Sequence, residues 1–185
     1  YQDFCDHHGL GFDPYYADPR KLLRGGKATE HTGNLLFAVN DYLTQTCKPP
    51  DKWRSAPVDL PIPGGRVVSL LDAWEEYKRT AGEIRLFEHG DYVVEVADRH
   101  AVPDVDVLLV DEFQDLAPLE YRLYKSWRDS GRFDRVYIAG DPNQSIYSFR
   151  GGTPHYFERT AVDDRISLKT SYRCPQEVAT VGTAV

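Results

Sequence analysis

Methionine is missing altogether from these 185 residues, and the chain opens on Tyr1. The natural start is therefore expected upstream, and residues 176–185 read as a helix still running where the sequence stops. Cysteine is scarce. Cys5, Cys47 and Cys174 are odd in number and far apart, which excludes a disulfide framework and suits a reducing cytoplasm. No apolar run approaches the roughly 18 residues of a membrane span, and no signal-peptide pattern stands at the front. A zinc site is not expected either: Cys5, His7 and His8 lack a matching second pair, and His31 and Cys47 stand alone. Internal repeats and low-complexity tracts are absent.

Charge is unevenly spread. The net charge of −7 argues against binding nucleic acid by bulk electrostatics. Residues 1–118 hold 12 basic and 21 acidic side chains, whereas residues 119–175 hold 10 basic and 7 acidic. Any polyanion contact is expected in the second stretch. With 41% hydrophobic and 12% aromatic residues, the chain has the composition of a packed globular protein.

The front is rich in loop-forming residues, since residues 1–65 hold seven of the 12 prolines and seven of the 14 glycines. Leu35, Leu36, Val39, Tyr42 and Leu43 share one face at helical spacing. Pro49, Pro50, Pro57, Pro61 and Pro63 then force an extended connection. A second helix is expected from Val67, with Leu70, Leu71, Trp74 and Tyr77 on one side and Gly82 as its stop. A third is expected to start on Asp91 as its cap and to bury Tyr92, Val93 and Val96.

The pattern changes at residue 105. Val105 to Val110 is short, branched and almost wholly apolar, which predicts a parallel strand covered on both faces. Pro118 suits a first helical turn, with Leu119, Leu123 and Trp127 following at four-residue steps to an end near Gly131. Val136 to Ala139 predicts a second buried strand, and Ile166 to Leu168 a third. The strand–helix–strand order predicts a right-handed crossover.

Three segments carry polar chemistry. The first strand runs into Asp111-Glu112-Phe113-Gln114-Asp115, at the carboxyl end of a parallel strand, where ligands of open α/β sheets bind. Two adjacent carboxylates there can divide metal holding from water activation, although a strand merely ending in solvated acids fits the same residues. The second strand ends in Gly140-Asp141-Pro142-Asn143-Gln144-Ser145-Ile146-Tyr147-Ser148-Phe149-Arg150-Gly151. Gln144 could donate to a phosphate, and Tyr147, Phe149 and Arg150 combine two π-faces with a cation, as in single-strand stacking platforms. A turn followed by core aromatics is the plainer reading of that loop. The third segment, Ser171-Tyr172-Arg173, pairs a ring with a planar, permanently charged fork.

In this order and spacing, DEFQD at 111–115, GDPNQSIYSFRG at 140–151 and SYR at 171–173 resemble the UvrD/Rep/PcrA family of superfamily 1 DNA helicases. The likeness extends over about residues 67–185, including a helical lead-in with Phe87, Asp91 and Tyr92. It implies an α/β fold: an incomplete RecA-like parallel sheet of the P-loop NTPase type with a mainly helical insertion. The implied division is a loop-rich, partly helical insertion at 1–65, the C-terminal part of the first motor domain at 66–165, and the start of the second at 166–185.

The resemblance also implies roles. Asp111 would hold the Mg²⁺ of ATP, and Glu112 would be the catalytic base. Gln114 and Asp115 would couple the nucleotide site to the DNA side, and Gln144 would sense the γ-phosphate with Asp141 supporting it. Tyr147, Phe149 and Arg150 would contact single-stranded DNA, with Phe149 standing where relatives often have Trp. Tyr172 would pack on adenine, and Arg173 would serve as arginine finger. The implied activity is ATP-driven 3′-to-5′ translocation and unwinding, with single strands and duplex junctions as partners. One departure stands out: no G-x-x-x-x-G-K-S/T phosphate loop is present. The nearest string, Arg24 to Thr29, has the wrong spacing and reads as a flexible basic loop. A non-catalytic DNA-binding or interaction module on the same scaffold, and the motor of a helicase–nuclease, are the competing readings. Oligomeric state is not legible.

Overall fold

The computed structural model describes residues 1–16, 18, 22–23, 31–168, 170 and 175. Helix α1 (Gln2–His8) had no counterpart in the sequence reading. It drives Phe4 and Cys5 into the interior and stops at Gly9, whose φ of 65° is left-handed. Helix α2 (Thr32–Gln45) follows the predicted apolar spacing but is buried nearly all round. Buried Asn34 is satisfied on both sides of its amide: it accepts from Asp13 N at 2.8 Å and donates to Asp13 O at 2.9 Å. The prolines at 49–63 feed a 3₁₀ segment (Pro50–Ser55) and then helix α3 (Gly64–Thr80), which presents Val67, Leu70, Leu71 and Trp74 to the core. It ends two residues before Gly82.

These elements share one continuous apolar core running from Phe4 to Trp74. Its centre is aromatic. Trp74 meets Phe37 at 4.8 Å and Phe4 at 5.1 Å edge-on, and stacks on Tyr1 at 5.3 Å and Tyr77 at 5.7 Å. Such offset and edge contacts add to the area that the rings bury.

Helix α4 (His89–Asp98) departs from expectation in two respects. Its cap is Glu88, and Asp91 sits at the third helical position, where its Oδ2 accepts from Glu88 N at 2.9 Å. This is the reciprocal half of a capping box. Tyr92 is exposed and Val93 and Val96 are only half-buried; the packed face instead carries Gly90 and Ala97. Gly90 permits the approach, because a Cβ there would lie 2.7 Å from the Thr44 methyl.

Beneath this cap lies Lys78, only 1% exposed, with its ammonium 2.7 Å from Glu75, 3.1 Å from Glu88 and 2.8 Å from Asp91. Glu88 also accepts from Trp74 Nε1 and Asn40 Nδ2 at 3.1 Å and from Tyr1 OH at 2.9 Å. Burial alone would lower the lysine pKa. The charge of Glu88 and hydrogen bonds to Asp91 and Glu75 together outweigh it and hold the ammonium above its ordinary value. One cation thus ties α3 to α4.

The sheet has two parallel strands, β1 (Val107–Val110) and β2 (Arg135–Ile138), paired Val107 to Arg135 through Val110 to Ile138. Helix α5 (Pro118–Asp129) connects them, with Pro118 in its first turn as expected. Leu108, Val110, Val136 and Ile138 turn toward a small second core with Phe113 and Tyr124. The opposite face is bare: Leu109 is 72% exposed, Tyr137 49% and Val107 45%. Burial on both faces is therefore corrected, because among the described residues a helical layer covers one side only. The predicted third strand is corrected too. Residues 166–168 take no strand conformation, and Leu168 is 94% exposed.

The chain is mainly helical with this small parallel sheet, consistent with part of a RecA-like fold carrying a helical insertion. No helix among the described residues is long and apolar enough to cross a membrane.

Candidate functional site

The site is assembled where both strands end. Ala139 N donates to Val110 O at 2.8 Å, and Phe113 N donates to Ala139 O at 2.9 Å, so pairing continues one step past the sheet. Between these bonds the backbone makes a sharp turn at Glu112, which sits in the left-handed region at φ 51°. A non-glycine residue there is strained, a feature that concentrates at functional positions. The turn is held from within by buried Phe113, which meets Tyr124 edge-on at 4.7 Å and lies 6.2 Å from both Tyr121 and Phe157. Short helix α6 (His155–Arg159) supplies Tyr156 and Phe157, and Tyr156 stacks on Tyr121 at 3.9 Å. The available sequence signal for this anchor is an apolar ring set inside an acidic run.

Asp111 and Glu112 are exposed, and among the described residues neither forms an ion pair. Asp111 Oδ1 accepts from Glu112 N at 2.9 Å. Gln114 is fully buried, and its amide is the junction of the site. Nε2 donates to Glu112 Oε2 at 2.7 Å and to Asp115 Oδ2 at 3.2 Å, while Oε1 accepts from Asp141 N at 3.0 Å. Asp115 adds a second tie, accepting from Ile146 N at 3.2 Å. The acidic segment is thereby bonded at two points to the loop after β2. Gly140 makes this possible, since a Cβ there would fall 2.3 Å from Gln114 Oε1.

In that loop, Asp141 caps the 3₁₀ turn Pro142–Gln144, accepting from Asn143 N at 3.0 Å and from Gln144 Nε2 at 2.7 Å. The Gln144 hydrogen bond, followed by that of Asn143, lowers the carboxyl pKa of Asp141. Gln144 itself is exposed. Beyond it, Tyr147 and Phe149 lie with ring centroids 5.8 Å apart. Phe149 also packs against the front core, and Arg150 lies 3.9 Å from Glu120. Gly151, at φ 84°, packs where no Cβ would fit, since one there would fall 2.6 Å from the Thr46 methyl and 3.3 Å from Pro118 Cδ.

Asp111, Glu112, Gln114, Asp115, Asp141 and Gln144 thus fall on one bonded string at the carboxyl end of the sheet, and Tyr147, Phe149 and Arg150 follow directly from it. Tyr172 and Arg173 lie outside the described residues, as does the basic string at 24–29. The chemistry of Asp111 and Glu112, two exposed adjacent carboxylates, fits the oxygen ligands that a divalent metal such as Mg²⁺ takes. The tight carboxylate cluster among the described residues lies elsewhere, at Glu75, Glu88 and Asp91, and the Lys78 ammonium already fills it. Cys5 is buried, with its thiol pKa pushed up to about 11 by burial, which disfavours the thiolate that zinc would need.

A parallel sheet with acids at its carboxyl edge, bonded through a buried amide to the neighbouring strand's loop, is consistent with part of an α/β chain of RecA-like class. Residues 77–163 match the UvrD/REP helicase N-terminal domain. The chain is 30% identical over 155 residues to the RecBCD enzyme subunit RecB of Mycobacterium tuberculosis (strain CDC 1551 / Oshkosh), covering 75% of this chain and 13% of that protein. It is 26% identical over 140 residues to the ATP-dependent DNA helicase UvrD2 of Mycobacterium bovis, covering 69% and 20%. With UvrD1 of the same organism it shares 30% over 135 residues, covering 63% and 18%. This chain is a superfamily 1 helicase relative of the UvrD/Rep type, and it spans between 13% and 20% of the length of these curated relatives.

Proposed function

We propose that this chain contributes the water-activating edge of an ATP-driven motor that moves on single-stranded DNA, with 3′-to-5′ polarity and duplex unwinding at junctions. The observation that carries the reading is the Gln114 amide, which bonds Glu112 on one side and the Asp141 backbone on the other. A change at the carboxylate can therefore reach the aromatic loop through two hydrogen bonds. The domain division is proposed as 1–65, 66–165 and 166–185, with the apolar face of α3 docked on the front part.

In this reading Asp111 would hold Mg²⁺, which would supply charge neutralisation at the phosphates. Glu112, oriented by Gln114, takes the proton of the attacking water. Gln144 faces the terminal phosphate, and Asp141 keeps its side chain in place. Tyr147, Phe149 and Arg150 grip the strand. Tyr172 packs on adenine, and Arg173 approaches the phosphates from the second motor domain.

No residue of this sequence supplies a phosphate loop, so the β- and γ-phosphates lack their usual backbone cradle. The 185-residue chain by itself is expected to show negligible Mg²⁺-dependent ATP turnover in a phosphate-release assay, and robust turnover would overturn that. In a full-length protein carrying this sequence, Glu112→Gln is expected to lower kcat by about 10²–10⁴-fold while leaving ATP binding intact. Undiminished hydrolysis would remove Glu112 as the base. A full-length protein with a degenerate phosphate loop would favour the non-catalytic module instead.

A further inference from the structure

The loop proposed to grip DNA is seated before any strand arrives. Its backbone is closed by Arg150 N and Gly152 N, which both donate to Tyr147 O at 3.0 and 3.1 Å. Phe149 is packed against the front core, and Gly151 sits against Thr46 and Pro118. With the backbone placed, the side chain of Arg150 reaches the first turn of α5, where its Nη2 lies 3.9 Å from Glu120 Oε1; both side chains are partly buried. Glu120 is itself immobilised, because its other oxygen accepts from Ala117 N at 2.8 Å. A charge-assisted hydrogen bond is nearer 2.7–2.9 Å, so this contact is an ion pair that a better-placed anion can displace. A second carboxylate stands close enough to matter: Arg150 partly offsets the rise that burial imposes on Asp41 of α2.

We propose that Glu120 is a resident competitor for the Arg150 guanidinium, which a nucleic-acid phosphate must displace, so that the 147–152 loop is latched to α5 in the absence of DNA. The inference rests on the DNA-binding reading above. Glu120 is then a positioning residue that never touches the strand. Its anionic charge weakens binding, while its hydrogen bond to Ala117 N preserves the helix start.

The test is fluorescence anisotropy of a labelled oligo-dT with the 185-residue chain across several salt concentrations, with circular dichroism and Tm as fold controls. Glu120→Gln keeps the acceptor for Ala117 N and removes the charge. It is expected to tighten binding about 2- to 5-fold, the range of a partly exposed ion pair. Arg150→Gln is expected to weaken binding and to flatten the slope of log K against log salt by about 0.7, one single-strand phosphate contact. The double variant should match Arg150→Gln, with the gain abolished. If the unaltered chain binds oligo-dT but Glu120→Gln binds no tighter, or if the double variant retains the gain, the latch is wrong and the DNA reading survives. If the unaltered chain does not bind oligo-dT at all, the DNA reading fails here and the latch with it.

Discussion

The helical front and the sheet unit use their apolar residues in opposite ways. Among the described residues, the front gathers 19 buried hydrophobic residues into one core, whereas the core under the sheet has three. The front even buries a lysine among three partly buried carboxylates, while the sheet unit leaves Asp111 and Glu112 wet and, among the described residues, one sheet face bare. Stability and chemistry are therefore held in different places. In the proposed reading these two carboxylates stay accessible to water, because an unpaired carboxylate loses its charge on deep burial. The rigidity the site needs comes from beneath it, through Phe113 and Gln114.

The comparison can be broken by perturbing each region in turn. Lys78→Met should have the largest effect. It strips the cation from three partly buried carboxylates, and urea unfolding should show a loss of about 3–5 kcal/mol; a near-neutral result would mean that water reaches the cluster. The same lysine sets a pH signature. Its folded-state pKa is raised above the ordinary 10.5, so its contribution is complete below that pH and is lost as pH rises through the higher folded value. Alkaline unfolding should therefore lose this component in Lys78→Met.

Leu36→Ala, in the heart of the front core, should cost about 2–5 kcal/mol by the same measurement. Gly140→Ala should cost about 1–3 kcal/mol, the scale of overpacking. Its Cβ would collide with Gln114, so hydrogen exchange at the Asp141 amide should accelerate. Unchanged protection there would show that the two loops are joined by other means. Leu109→Ala should change stability by no more than about 0.5 kcal/mol. A cost like that of Leu36→Ala would show the bare sheet face to be covered in solution.

Much of this was legible in the residues. The apolar spacing of 35–43 and 67–77, the branched run before Asp111 and Pro118 at a helix start each encode a local preference, and each forms the expected element, although β1 takes only Val107–Val110 of the run from Val105. The motif at 111–115 and its partner at 140–151 were legible because their order and spacing are unusual. Other features were not. Helix α1 lies in a polar, histidine-rich stretch whose few apolar residues become meaningful only against Trp74. Asp91 reads as a cap by residue type, yet Glu88 takes that position because Lys78 and Trp74 hold its carboxylate. Ile166 to Leu168 has strand propensity, but the described structure places no neighbour beside it to supply ladder hydrogen bonds.

By itself the sequence determined which residues carry charge, which segments favour helix or strand, and which acids follow the first strand, because these depend on neighbours a few positions away. Tertiary structure decided that a buried amide joins Glu112 to the loop at 141, that Arg150 faces Glu120, and that Lys78 is surrounded by carboxylates. Those contacts link residues up to some tens of positions apart, and their strength depends on burial, which exists only once the elements have packed.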